Sequence, residues 1–122
     1  MLEWWVIGFP FNLIHESSAI ISESDKQFLA TCFEALGSED RFQIMELFKK
    51  KAHSVSVLEQ LLNKPQSTIY HHIKQLEQAG LITSVISGKF TEYMPIEANI
   101  ARFLNLCKWW IQDISNWFGL GK

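Results

Sequence analysis

Three helix-breaking residues, Pro65, Gly80 and Gly88, punctuate the middle of this 122-residue chain and fix where its elements can lie. Proline has no backbone N–H and its ring clashes one turn back, so it suits the first position of a helix and cannot sit inside one. Gly80 takes the left-handed conformation that ends a helix cheaply. A helix is therefore expected from about Pro65 to Ala79. Gly88, within Ser87-Gly88-Lys89, supplies the positive φ of a tight turn between two β-rich runs, so a hairpin is expected over 82–95. Ahead of Pro65, Ser56 and Glu59 form a capping-box pattern in front of "VLEQLL", which predicts a short third helix opening at Ser56.

Apolar positions at helical spacing extend the pattern in both directions. Phe28, Leu29, Cys32, Phe33 and Leu36 predict a first helix that Gly37 stops. Ser38 is a good N-cap for a second helix, with Glu39 and Asp40 where the helix dipole favours acids. That helix is expected to bury Phe42, Ile44, Met45 and Phe48 and to end in "KKKAH". Beyond the hairpin, a long helix from about Glu97 to Phe118 carries Ile100, Phe103, Leu104, Cys107, Trp110, Ile111, Ile114, Trp117 and Phe118 three and four apart, with Leu106 and Trp109 widening the stripe. The order is helix, helix, short helix, turn, helix, hairpin, long helix. It predicts a mainly α chain with a small β-hairpin wing (α+β), a winged helix-turn-helix.

The adjacent histidines of "QSTIYHHIKQLEQAGL" take different faces. With Ile69 as origin, Ile73 and Leu76 share its edge of the helix and point to the core. Ser67, His71, Lys74 and Gln78 lie on the opposite edge, flanked by Tyr70 and Gln75. Neighbours on a helix do not face each other, so one metal ion cannot use both histidines. His71 points outward, whereas His72 leans toward the core margin as a hydrogen-bonded residue. The outward side chains have the reach and the donors and acceptors for base edges and phosphates in a major groove. Glu77 sits to one side, so that face is expected to carry no acid. Solvation alone would also make a helix face polar; the agreement with the topology favours the DNA reading.

Composition limits the alternatives. One domain is expected over 1–122, with an apolar N-terminal arm (1–25), a core (26–96) and the last helix (97–118). The net charge of −2 leaves no global basic footprint, so DNA binding would rest on a local patch. Cys32 and Cys107 form no CxxC pair, which points to a reducing cytoplasm and to no disulfide framework or zinc site. The aromatic start "MLEWWVIGFPFNLI" lacks a basic n-region and is too short to span a bilayer; its alternation allows a strand packed on the domain or on a second subunit. No nucleophile–base pair, Gly-rich phosphate loop or shared-face carboxylate pair suggests an enzyme, and nothing calls for a cofactor.

"FEALGSEDRFQIMELF" resembles the opening helices of ArsR-type winged-helix repressors, roughly ALxDPTRxxILxLL. "SVLEQLLNKPQSTIYHHIKQLEQAGLI" is similar to that family's helix-turn-helix, and "TSVISGKFTEYMPI" to its wing. The resemblance spans about Cys32 to Ile96. It implies DNA contacts by Gln66, Ser67, Thr68, Tyr70, His71 and Lys74, with Lys89 at the wing tip reaching phosphates or the minor groove. Lys64 and the Lys49–Lys51 cluster are candidate backbone contacts; for the cluster, plain solvation at a helix end is an equal alternative. Departures are informative. Metal-sensing members carry Cys-x-Cys where this chain has Ser54 and Ser56, poor ligands for soft metals, and the last helix has no histidine. Metal sensing is not expected.

Such repressors dimerise through terminal helices, and the nine stripe residues of the last helix, with the N-terminal arm, are the expected homodimer interface. A monomer that folds this helix over its own core is the alternative. A membrane-surface role is disfavoured by the mixed charge of the polar face. The function expected is a dimeric repressor of double-stranded DNA that inserts the 65–79 helix in the major groove. The competing class is a winged-helix protein-interaction module that binds no DNA. The aromatic stripe permits a small apolar effector without indicating one.

Overall fold

The computed structural model describes residues 21–119. The predicted N-terminal arm lies outside the described residues, apart from its last few positions. The elements run α1 (Glu23–Leu36), α2 (Glu39–Phe48), β1 (His53–Ser54), α3 (Val55–Leu62), α4 (Gln66–Gln78), β2 (Ile82–Ser87), β3 (Phe90–Pro95) and α5 (Glu97–Trp117). Residues 30–101 form one compact unit, and the described residues 21–29 and 102–119 belong to another.

The first unit is built around fully buried Cys32, Ile44, Leu58, Ile69, Ile73, Leu76 and Leu81, with Ile82 close behind. Burying each Ile or Leu of that set is worth roughly 1.5–3 kcal/mol relative to exposure. Antiparallel strands in the order β1-β3-β2 make a three-stranded sheet. Ile82 faces Pro95 and Ser87 faces Phe90, which leaves Gly88 and Lys89 as a two-residue turn, with Gly88 at φ 63. The expected hairpin is present. The strand β1 was not expected: "KKKAH" does not continue α2, which ends at Phe48, and His53 instead pairs with Tyr93. His53 is buried and lies beside the Phe48 ring, with centroids 6.1 Å apart.

Two local expectations are corrected. Ser54, not Ser56, caps α3: its Oγ accepts from the Val57 backbone N–H at 3.4 Å. Glu59 therefore closes no capping box, because the N3 position is Val57. In α2 only Ile44 and Phe48 are buried; Phe42 is 55% exposed and Met45 is partly covered. Ile44 and Phe48 are one turn apart, whereas Phe42 stands about 200° from Ile44 on the wheel. Ser38 caps α2 as expected, accepting from Arg41 N–H.

The second unit carries the start of α1 and most of α5. Asp25 of α1 accepts from Arg102 of α5 at 2.7 Å, and that guanidinium lies 4.1 Å from the Phe28 ring centroid. The hydrogen bond from Arg102 holds the Asp25 carboxyl below its usual range. No helix among the described residues is long and apolar enough to cross a membrane.

Candidate nucleic-acid interface

The helix-turn-helix is made by α3, a tight connection and α4. Asn63 ends α3 at φ 55, a left-handed position that asparagine tolerates better than most residues. Pro65 follows as the N-cap of α4, so the helix starts one residue later than expected, and Pro65 lies in extended backbone with no side-chain cap. Its carbonyl accepts the first helical bond, from Ile69 N–H. At the far end Leu81 N–H donates to Leu76 O and Gly80 N–H to Glu77 O, with Gly80 at φ 82. This paired stop is a Schellman motif, and its apolar contact partners, Leu76 and Leu81, are both fully buried. The Asn99 side chain donates to Gly80 O at 2.8 Å and secures the same corner.

Ile69, Ile73 and Leu76 hold α4 from behind with no exposed surface. Gln66, Ser67, Tyr70 and His71 are exposed, and Thr68 is partly covered. His72 is partly covered, as its place on the wheel requires. Its Nδ1 lies 3.2 Å from Arg41 Nη1 and its Nε2 lies 3.5 Å from Asp40 Oδ2. Arg41 also donates through Nε to Ala35 O at 2.6 Å. Burial lowers the His72 pKa from 6.5, with the Arg41 charge acting in the same direction and Asp40 opposing it.

The two lysines of the helix-turn-helix are paired. Lys64 Nζ lies 3.4 Å from Asp40 Oδ2. Lys74 donates to Glu77 Oε1 at 3.1 Å, and its ammonium sits 5.1 Å from the Tyr70 ring centroid. The expectation that Glu77 stands apart is thus corrected: three residues along the helix, it reaches the lysine of the outward edge. Its spacing from Lys74 was the signal for this pair. The Asp40 contact, from another helix, had no local signal. Lys89 is exposed at the tip of the β2–β3 hairpin. The hairpin also exposes Ile86, at 84%, and Phe90, at 64%. In the Lys49–Lys51 cluster, Lys49 pairs with Glu46 at 2.9 Å.

On α5, Phe103 and Leu106 are buried, whereas Ile100 and Cys107 are partly covered. Leu104, Trp110, Ile111, Ile114 and Trp117 are exposed, as is Phe118 just past the end of the helix. Burial raises the Cys107 thiol pKa. Among the described residues no three His, Cys, Asp or Glu side chains are grouped to hold a metal ion.

Residues 36–85 match a family described as "Helix-turn-helix domain". An uncharacterized HTH-type transcriptional regulator of Methanocaldococcus jannaschii, MJ1325, is 28% identical over 78 residues, which cover 63% of this chain and 88% of that protein. An ArsR-like transcriptional regulator from Rhodococcus sp. RHA1 has a similar structure, with a TM-score of 0.66 at 22% identity, covering 81% of this chain and 97% of that one. So does the homodimeric winged helix-turn-helix DNA-binding domain of Mb0332 from Mycobacterium bovis, a possible ArsR-family regulator, with a TM-score of 0.59 at 20% identity over 74% of this chain and 80% of that one. The resemblance drawn from the helix-turn-helix and wing residues is borne out: the chain carries a helix-turn-helix domain in the winged, ArsR-like fold.

Proposed function

We propose that this protein is a homodimeric, sequence-specific DNA-binding transcriptional regulator, acting as a repressor. In this reading α4 enters the major groove and the β2–β3 hairpin serves as the wing. The observation that carries it is the outer edge of α4: Gln66, Ser67, Tyr70 and His71 face solvent while Ile69, Ile73 and Leu76 fix the helix from behind. A rigidly held helix with an open polar edge is what base readout requires. The similar proteins support it, since one is described as an HTH-type transcriptional regulator and another as a homodimeric DNA-binding domain. The exposed apolar face of α5 is the proposed homodimer interface.

The test is fluorescence anisotropy against fragments of the host genome, followed by selection of the tightest binders. A preferred inverted repeat is expected, and Ser67→Ala with His71→Ala should relax its sequence preference by about 1–3 kcal/mol per lost base contact. Binding should weaken as salt rises, because phosphate contacts release counterions. A second reading, a winged-helix module that binds protein, is favoured by the exposed Ile86 and Phe90 of the hairpin. Failure to bind any fragment at low salt would select that reading.

A further inference from the structure

We propose that Asp40 and Glu77 are internal competitors for DNA phosphate, which hold the two lysines of the helix-turn-helix and so limit indiscriminate binding. This rests on the DNA-binding reading above. Non-specific affinity comes almost wholly from lysine and arginine neutralising phosphates. Within the helix-turn-helix both lysines already have a carboxylate, and the neighbouring Arg41 has acceptors. Lys64 is held by Asp40 at 3.4 Å and Lys74 by Glu77 at 3.1 Å. Arg41 is committed to Ala35 O and His72 Nδ1.

Both pairs are half open to water, with the Lys64 and Lys74 side chains 43% and 41% exposed. A pair of that kind is worth at most about 1 kcal/mol, so a phosphate can replace the carboxylate. The carboxylate does not leave, however. Glu77 is one helical turn from Lys74, and Asp40 is fixed by His72 Nε2 at 3.5 Å as well as by Lys64. An incoming phosphate therefore meets a negative charge beside each lysine. The hydrogen bond from Lys74 to Glu77 is also the main cause of the raised Lys74 pKa, which agrees with a settled pair. The penalty falls on every DNA sequence alike. It leaves the hydrogen-bonding side chains of α4 to decide which sequences are held.

The test compares the wild-type chain, Glu77→Gln, Asp40→Asn and the double variant on a random duplex and on the selected fragment, across a salt series. Each single variant frees one lysine per protomer. In a dimer it should tighten random-duplex binding about tenfold at low salt and steepen the log K against log salt slope by about 1.8. The double variant should add both effects. An unchanged slope in both single variants overturns the proposal, as does weaker binding by Glu77→Gln, which would make Glu77 a reader of a base donor. Circular dichroism confirms folding, and Glu77→Gln lies at a helix C-terminus where loss of an acid does no harm. Failure of the parent reading is distinct: the wild-type chain would then bind neither duplex.

Discussion

At His72, one ring nitrogen must accept and the other donate. A guanidinium has only donors, so the Nδ1 facing Arg41 carries the lone pair and the ring proton sits on Nε2, toward Asp40. Protonating the ring would turn the Arg41 contact into a repulsion, and burial adds to that penalty. The folded pKa lies below 6.5, so between those two values the unfolded chain binds more protons than the folded one. The stability contributed by neutral His72 is full above 6.5 and is lost as pH falls through that window. Urea midpoints should therefore decline on acidification below neutrality, and His72→Gln should flatten the decline. An identical slope in the variant would show that other groups carry it. A second residue-scale outcome concerns Ser54, whose hydroxyl satisfies the Val57 N–H. Ser54→Ala should cost about 1 kcal/mol in chemical denaturation, while Ser56→Ala should cost little.

The elements differ in how plainly the chain announces them, and α4 is the plainest. Its period of 3.6, a proline at its entry and a glycine past its exit are all local facts, and each survives folding. The Gly80 stop makes a prediction of its own: an alanine there would be strained at φ 82, with its Cβ 3.3 Å from Asn99 Nδ2. Gly80→Ala should destabilise by more than about 1 kcal/mol, and Ile73→Ala, which empties a fully buried site, by about 2–5 kcal/mol. Equilibrium unfolding measures both. By contrast β1 is only His53 and Ser54, too short for any alternation, and it exists because β3 offers a free edge to pair with. The choice between Ser54 and Ser56 as cap was equally closed to local reasoning, since it depends on where that strand releases the chain. Phe42 shows the converse error: an aromatic in an apolar-looking helix was expected inside, but only one stripe of α2 meets the core. The polar edge of α4 was legible; the carboxylates that occupy the helix-turn-helix lysines were half legible, because Glu77 is a helical neighbour of Lys74 and Asp40 reaches Lys64 from a distant segment.

For the whole molecule, the deciding question is what α5 does with its exposed face. The helix is about 31 Å long, and it leaves Leu104, Ile111 and Trp117, with Phe118 just past its end, open to water along much of that length. Isolated surface apolar groups need no explanation, but a run of them on one helix is the kind of surface the proposed second copy would cover. If a second copy covers it, the two-fold symmetry of the proposed dimer would match that of an inverted repeat, whose half-sites lie about one DNA turn, roughly 34 Å, apart. Dimerisation then matters to DNA affinity through geometry, because one α4 alone engages only half of an inverted repeat. Ile111→Glu with Trp117→Glu puts two unpaired charges into that surface. Sedimentation should show the variant as a monomer with unchanged helical circular dichroism. Its affinity for the full inverted repeat should fall more than tenfold while its weak affinity for a single half-site stays as in wild type. A variant that still sediments as a dimer would place the contact elsewhere. One that is monomeric yet binds the full repeat normally would separate this helix from DNA recognition, since the two half-sites would then be engaged independently of any α5 pairing.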